Sequence, residues 1–355
     1  MLKILDLYIG RTILMTSVLT LTVLIGLSSM FRFIDQMRSI GRGYYDMVHA
    51  ALFTLYSVPG DVVIFFPMAA LIGGLIGLGM LASNSELVVM QAAGLSRLNI
   101  ISSVMKSAVL MVLVMMAIAE WGAPVSDRAA RELRIKAISD GNLFAARQGV
   151  WAKDGDSFVN IKEVDDVGNL QELTIYQFDE NLALQQKITA ISAVYIEDAW
   201  RLQQVTALNF TSEQIIRVEA ESQRWRSTLT PEKLGVVTVK PEMLSLQGLM
   251  EYVDYLQQNG QDASRYQLAY WRKVLQPVTV GAMLLLALSF IFGPLRSVTM
   301  AARVLLGILT GFGFYMSNEV FGPLALVYQL PPLAGAAIPS LLFIGISLYF
   351  MRQKV

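Results

Sequence analysis

Three long apolar stretches lie before residue 122, three more lie after residue 273, and a polar segment of roughly 140 residues separates the two sets. The stretches are 12–31, 62–82, 100–121, 274–292, 304–327 and 333–350. Each is near the ~20 residues that carry an α-helix across a hydrocarbon layer. In lipid only helices and closed barrels satisfy their own backbone groups, so the pattern predicts a six-helix bundle interrupted by a soluble domain. Composition agrees: 54% of residues are hydrophobic and 16% charged, where soluble domains carry roughly a quarter. The first stretch is too long for a signal-peptide core, is closed by Arg32, and is followed by no small-x-small cleavage site. It reads as an anchor that stays.

Much chemistry finds no support. There is no cysteine, hence no disulfide, thiolate metal site or cysteine nucleophile, and His49 is the only histidine. The G-x-x-x-x-G-K-[ST], H-E-x-x-H and G-x-S-x-G motifs are missing, so no metal site, catalytic residue or ATP hydrolysis of that kind is expected in this chain. A formal net charge of zero names no partner, and nucleic acid is not expected.

Loop charges orient the bundle. With the N-terminus inside, Lys3, Arg11, Arg97, Lys106, Arg296, Arg303, Arg352 and Lys354 fall inside, and Arg32, Arg38 and Arg42 outside. Both termini are then cytoplasmic and the insert lies across the membrane. A basic ring runs against the rule: Arg128, Arg131, Arg134 and Lys136 follow the third span, and Arg272 and Lys273 precede the fourth. Within the spans, Gly73-x-x-x-Gly77 and Gly307-x-x-x-Gly311 permit close helix approach. They suit a partner interface or packing inside this bundle, the second being preferred. Pro67 and Pro277 are expected to kink their helices. Glu319 is the one costly ionisable group, either pairing with a neighbouring arginine or functional.

From about Phe144 to Arg226 the period is two. Leu173, Ile175 and Gln177 alternate with Thr174, Tyr176 and Phe178, and Ile216, Val218 and Ala220 with Arg217, Glu219 and Glu221. Asp154-Gly155 between two such runs signals a hairpin. Short strands at this spacing predict a sandwich or jellyroll. After Pro241, the spacing of Leu246, Leu249, Met250, Val253 and Leu256 predicts an amphipathic helix stopped by Asn259-Gly260. Between spans two and three, Ser83-x-x-Glu86 fits a capping box and Gly94 a helix stop. A short helix over about 84–93 follows, with Leu87, Met90 and also Val88 on its buried side. Its Glu86 is a cap on spacing alone, or a handle for a cytoplasmic motor.

Several long runs carry a resemblance: 31–36 (FRFIDQ), 64–70 (IFFPMAA), 85–92 (SELVVMQA), 149–155 (GVWAKDG), 229–237 (LTPEKLGVV) and 289–297 (SFIFGPLRS). In this order they resemble the LptF/LptG family of lipopolysaccharide export permeases of Gram-negative bacteria, end to end. The runs at 149–155 and 289–297 favour its LptG branch over LptF. The resemblance implies six transmembrane helices (residues 1–123 and 266–355) and a periplasmic β-jellyroll with flanking helices (124–265). It implies an inner-membrane permease subunit with an LptF-like sister, an LptB-like ATPase dimer that binds the ATP and magnesium, an LptC-like regulator and an LptA-like periplasmic bridge. The substrate would be lipopolysaccharide, extracted from the outer leaflet. By the same resemblance Glu86, Leu87 and Met90 become the ATPase-coupling contacts. Arg32, Arg38, Arg131 and Arg134 become contacts to lipid phosphates, with Ser39 standing where the family has a further basic residue. Phe65, Phe66, Phe312 and Tyr315 are candidates for the wall against acyl chains, or core packing. The alternative reading is a membrane-anchored scaffold whose β-domain binds a periplasmic partner. An ion-coupled carrier is disfavoured by the lack of paired midplane charges.

Overall fold

The computed structural model describes residues 4–139, 150–164, 169–179, 181, 183–197, 199–211, 214–230, 241–292 and 298–352. Lys3, Phe144, Gly149, residues 231–237 and 293–297 (Arg296 among them) and Lys354 lie outside the described residues.

The chain opens with helices α1 (Ile4–Met37), α2 (Met47–Ser83), α3 (Glu86–Ala92) and α4 (Arg97–Ala117). A π-helical turn, Ile118–Gly122, runs on into α5 (Ala123–Ser139). Six strands follow: β1 (Val150–Asp154), β2 (Ser157–Val164), β3 (Leu170–Phe178), β4 (Leu184–Ile196), β5 (Ala199–Phe210) and β6 (Ile215–Trp225). After a 3-10 turn, Pro241–Met243, come α6 (Leu246–Gln258), α7 (Ser264–Phe292), α8 (Met300–Val327) and α9 (Pro332–Arg352). Among the described residues, six helices are long and apolar enough to cross a membrane: α1, α2, α4 with its continuation into α5, α7, α8 and α9. An antiparallel sheet is inserted between the third and fourth of them, as expected.

Helix α2 is the hub of the bundle. It is 72% buried along its most apolar window, against 17% for α1 and 22% for α8, so those two helices leave wide apolar flanks open. Glycines let the hub approach its neighbours. A Cβ on Gly73 would strike the Ser17 backbone of α1, and one on Gly77 would lie 3.3 Å from Ile13 Cα. Gly74 packs on Leu284 and Ala287 of α7, while Gly307 and Gly311 of α8 pack back on Leu75 and Met68. Both glycine motifs therefore serve packing inside this chain. The contact is close enough for Thr16 Oγ1 to donate to the Gly73 carbonyl across the interface, at 2.7 Å.

Pro67 and Pro277 sit inside α2 and α7 without ending them. Pro67 has no N–H for the carbonyl four residues earlier. That carbonyl, on Val63, instead accepts from Gln276 Nε2 of α7 at 3.1 Å. Buried charges are paired in the same manner. Asp6 receives Lys106 Nζ at 2.8 Å and the Ser103 hydroxyl, and Arg303 Nη1 donates to the Gly79 carbonyl at 3.2 Å.

The six described strands run in sequence order, β1 to β6, each antiparallel to the next. The Asp154-Gly155 hairpin joins β1 and β2, with Gly155 in the left-handed region at φ 57°. Val159, Ile161, Leu173, Ile175, Ile188, Leu202 and Trp200 form a core against α6. The Trp200 indole N–H donates to the Leu229 carbonyl at 2.7 Å. Along β6 the alternation carries no buried face, since Ile215, Ile216 and Val218 are exposed. On α6, Met250 points outward, and Tyr252 and Tyr255 join Leu249 and Leu256 on the buried side. The apolar rings drive this burial, and the Tyr255 hydroxyl is satisfied there by donating to the Lys153 carbonyl at 2.7 Å. Asn259, at the end of α6, accepts from the Gly155 N–H at 2.7 Å, so the helix clamps the first hairpin.

Burial pushes the Tyr255 hydroxyl up to about 12 and raises Tyr252 as well. A raised folded-state value means that this contribution to stability is complete below the ordinary tyrosine range. It is lost as pH rises from about 10 towards 12. Thermal melts of the protein should fall through that window, and Tyr255→Phe should flatten part of the fall.

Candidate functional site at the β-domain end of the bundle

Helix α1 ends at Met37 and the chain turns back through residues 38–45. This turn docks on the last turn of α5. Tyr44 N–H donates to the Ala137 carbonyl at 2.7 Å, and Gly43 sits so close that a Cβ would lie 2.5 Å from the same oxygen. Docking brings Arg134 of α5 beside Ser39, with Nη2 to Oγ at 3.3 Å, and over the Phe53 ring of α2 at 5.7 Å. Arg131 lies one turn earlier on α5, with Nε bonded to Asp127 at 2.7 Å. Arg38 precedes Ser39, is 83% exposed, and has Asp35 4.0 Å away. The fold thus gathers Arg38 and Arg134 about one turn of chain, with Arg131 alongside.

Arg32 occupies a second level. It pairs with Asp61 of α2, whose other oxygen accepts from Ser28 Oγ at 3.0 Å. Asp61 is eight residues beyond Phe53, so the pair lies about 12 Å deeper along α2.

The four aromatic candidates separate. Tyr315 lines a cavity of about 160 Å³ between α2, α7 and α8, with Pro67, Met68, Phe314 and the polar Arg272, Gln276 and Glu319. Phe66 is buried in the bundle core, Phe65 is half-buried, and Phe312 is 54% exposed on the outside of α8. Glu319 stands 4.0 Å from Arg272, which also donates to the Asn318 carbonyl, so the neighbouring arginine that spacing anticipated is present.

At the opposite end, α3 forms the short helix expected between the second and third spans, and Gly94 ends it at φ 92°. Its start differs from the capping box. Ser83 belongs to α2 and bonds back to the Met80 carbonyl at 3.0 Å. Ser85 takes the N-cap place at φ 60° and makes no side-chain cap. Glu86 instead accepts from the Tyr8 hydroxyl of α1 at 2.8 Å. Leu87 and Met90 are buried, whereas Val88 and Val89 face outward, because a seven-residue helix offers the bundle only one stripe.

Asp6 and Asp61 were not legible as part of either site. Each lies just outside an apolar window, where a carboxylate reads as a loop charge. The usable signal was an acid within two turns of a long apolar run, with a basic residue on or beside a neighbouring run. Among the described residues, no group of three or more His, Asp or Glu is placed to hold a metal ion.

Among the described residues, six membrane-length helices, a β-domain inserted after the third, and arginines collected where α5 docks on the turn between α1 and α2 describe a multi-pass membrane protein of the permease kind. The family described as lipopolysaccharide export system permease LptF/LptG matches residues 7–353, and the chain belongs to it. It is 50% identical over 354 residues to the lipopolysaccharide export system permease protein LptG of Escherichia coli K12, covering 99% of this chain and 98% of that protein. It is 47% identical over 356 residues to LptG of Haemophilus influenzae, covering 100% and 99%. LptF of Escherichia coli K12 is 32% identical over 110 residues, 30% of each chain.

Proposed function

We propose that this chain is the non-ATPase transmembrane subunit of an ABC-type complex in the bacterial inner membrane. In that reading it extracts lipopolysaccharide from the outer leaflet and passes it through its periplasmic domain towards an LptA-like bridge. An LptF-like sister, a pair of LptB-like ATPase subunits and an LptC-like regulator complete the complex. The observation that carries the reading is the gathering of Arg38 and Arg134 about the turn between α1 and α2, with Arg131 one helical turn away on α5, in a chain related along its whole length to two LptG proteins. Arginine forks suit the phosphates of the lipid headgroup, and a site at the membrane edge avoids the full cost of desolvating the charge. Tyr315 and the half-buried Phe65 offer apolar surface for acyl chains. Helix α3 supports energy input: Val88 and Val89 are exposed for a partner, and Glu86 reaches α1 through Tyr8. Movement of α3 would then be felt along α1, which ends near Arg32 and Arg38.

Affinity purification from membranes tests the assembly, with a sister permease and an ATPase expected to come with the chain. Glu86→Ala is expected to reduce lipid-stimulated ATPase activity about tenfold or to release the ATPase, a loss of the size typical for a charged contact at an interface. Wild-type assembly and activity in that variant would remove α3 as the coupling element.

A further inference from the structure

Arg32 and Asp61 form an ion pair between two membrane-length helices, and its two ends are not alike. The Asp61 side chain is only 2% exposed, and both oxygens are committed to α1, one to Ser28 Oγ and one to Arg32 Nη2. The Arg32 side chain is 31% exposed, and its Nε is buried with no hydrogen-bond partner among the described residues. A guanidinium has five N–H donors, so one carboxylate contact leaves most of the fork unspent. Arg303 provides a contrast, since it is buried within the bundle and its Nη1 is given to the Gly79 carbonyl. Arg38 provides the opposite one, its carboxylate being distant and itself 68% exposed. Arg32 is thus an arginine with a fixed counter-ion on one side and donors to spare on the other.

We infer that Asp61 is a positioning residue that holds Arg32 oriented and partly neutralised, so that Arg32 binds the phosphate of a lipid headgroup reversibly. The inference rests on the reading that Arg32 meets the lipid. An isolated cation at this depth would bind a phosphate tightly, because little water is there to compete. With Asp61 in contact, an incoming phosphate meets a neutral pair. Attraction falls, and when the lipid leaves, the carboxylate is already in place to take up the freed charge. A carrier that must release its cargo gains from such a setting. Among the described residues, the exposed Arg38 and the shallower Arg134 have no counter-ion buried as Asp61 is, and suit capture.

The test uses the full chain with its co-purifying subunits in nanodiscs containing lipopolysaccharide, with a photo-crosslinking residue at Phe31, the exposed neighbour of Arg32. Asp61→Asn removes the charge and keeps the shape. It is expected to raise crosslinked lipid about threefold, to slow its loss after ATP addition, and to steepen the dependence of yield on salt. Asp61→Glu should restore wild-type yield. Ser28→Ala, a mild change should the first variant fold poorly, turns Asp61 wholly towards Arg32 and should lower the yield to about half. An unchanged or lower yield in Asp61→Asn, while Arg32→Gln lowers it, overturns the role of Asp61 alone. An unchanged yield in Arg32→Gln overturns the reading beneath it as well. Suppression by free inorganic phosphate would assign the site to a soluble anion, and an equal yield in nanodiscs of phosphatidylglycerol alone would make it unselective; either result overturns the proposal.

Discussion

Gly73→Ala is expected to cost about 3 kcal/mol or more and to lower the recovery of folded protein sharply. A methyl group there meets the backbone of α1, with the Ser17 nitrogen only 2.6 Å away, and a backbone cannot rotate aside as a side chain can. Relief requires α1 and α2 to separate, which also breaks the bond from Thr16 Oγ1 to the Gly73 carbonyl. Because α2 is the hub, the displacement would pass to its other neighbours. Gly26→Ala supplies the control. It lies on α1 too, nothing stands within 4 Å of its Cβ position, and a small gain is expected from the better helix former. Thermal unfolding of the purified protein in detergent reads both. Equal midpoints for the two variants would refute the packing assigned to the glycine motif.

Trp200→Ala is expected to unfold the β-domain while leaving the bundle folded. Truncating a fully buried tryptophan costs about 3–5 kcal/mol, a large share of what a domain of this size has in reserve. It also orphans the Leu229 carbonyl, so Trp200→Phe, which keeps most of the volume, should cost about 1 kcal/mol more than its lost packing. Limited proteolysis reads the outcome: cleavage should appear within the strands of the first variant and not within α2 or α7. Protection equal to wild type would show that this core does not depend on its largest side chain.

Periodicity made most of this fold legible. Six windows of apolar residues can only be helices in lipid, and the alternation around Leu173 and Ile175 places that strand's inner face correctly. It fails where neighbours decide. Val88 has the same character as Leu87 and Met90, but a helix of seven residues buries a single stripe. Ile216 and Val218 alternate as strand residues should, yet on the last described strand both are exposed. Charges show the same division. The arginines stood out because they violate the loop-charge pattern, whereas Asp61 stood at the margin of an apolar window and its meaning depends on Ser28 and Arg32, about thirty residues away. Gln276, which completes the hydrogen bonding that Pro67 interrupts, carries no signal in its own segment.

We propose that the arginines gathered by the docking of α5 on the 38–45 turn hold the headgroup of the exported lipid. A photo-crosslinking residue at Ile40, exposed in that turn, tests it most directly in membranes that contain the assembled complex and lipopolysaccharide. Lipopolysaccharide adducts are expected from Ile40, and Arg38→Glu with Arg134→Glu should reduce them about tenfold or more, because two attractions become two repulsions. Adducts of undiminished yield in the doubly reversed protein, with the complex still intact, would contradict the account.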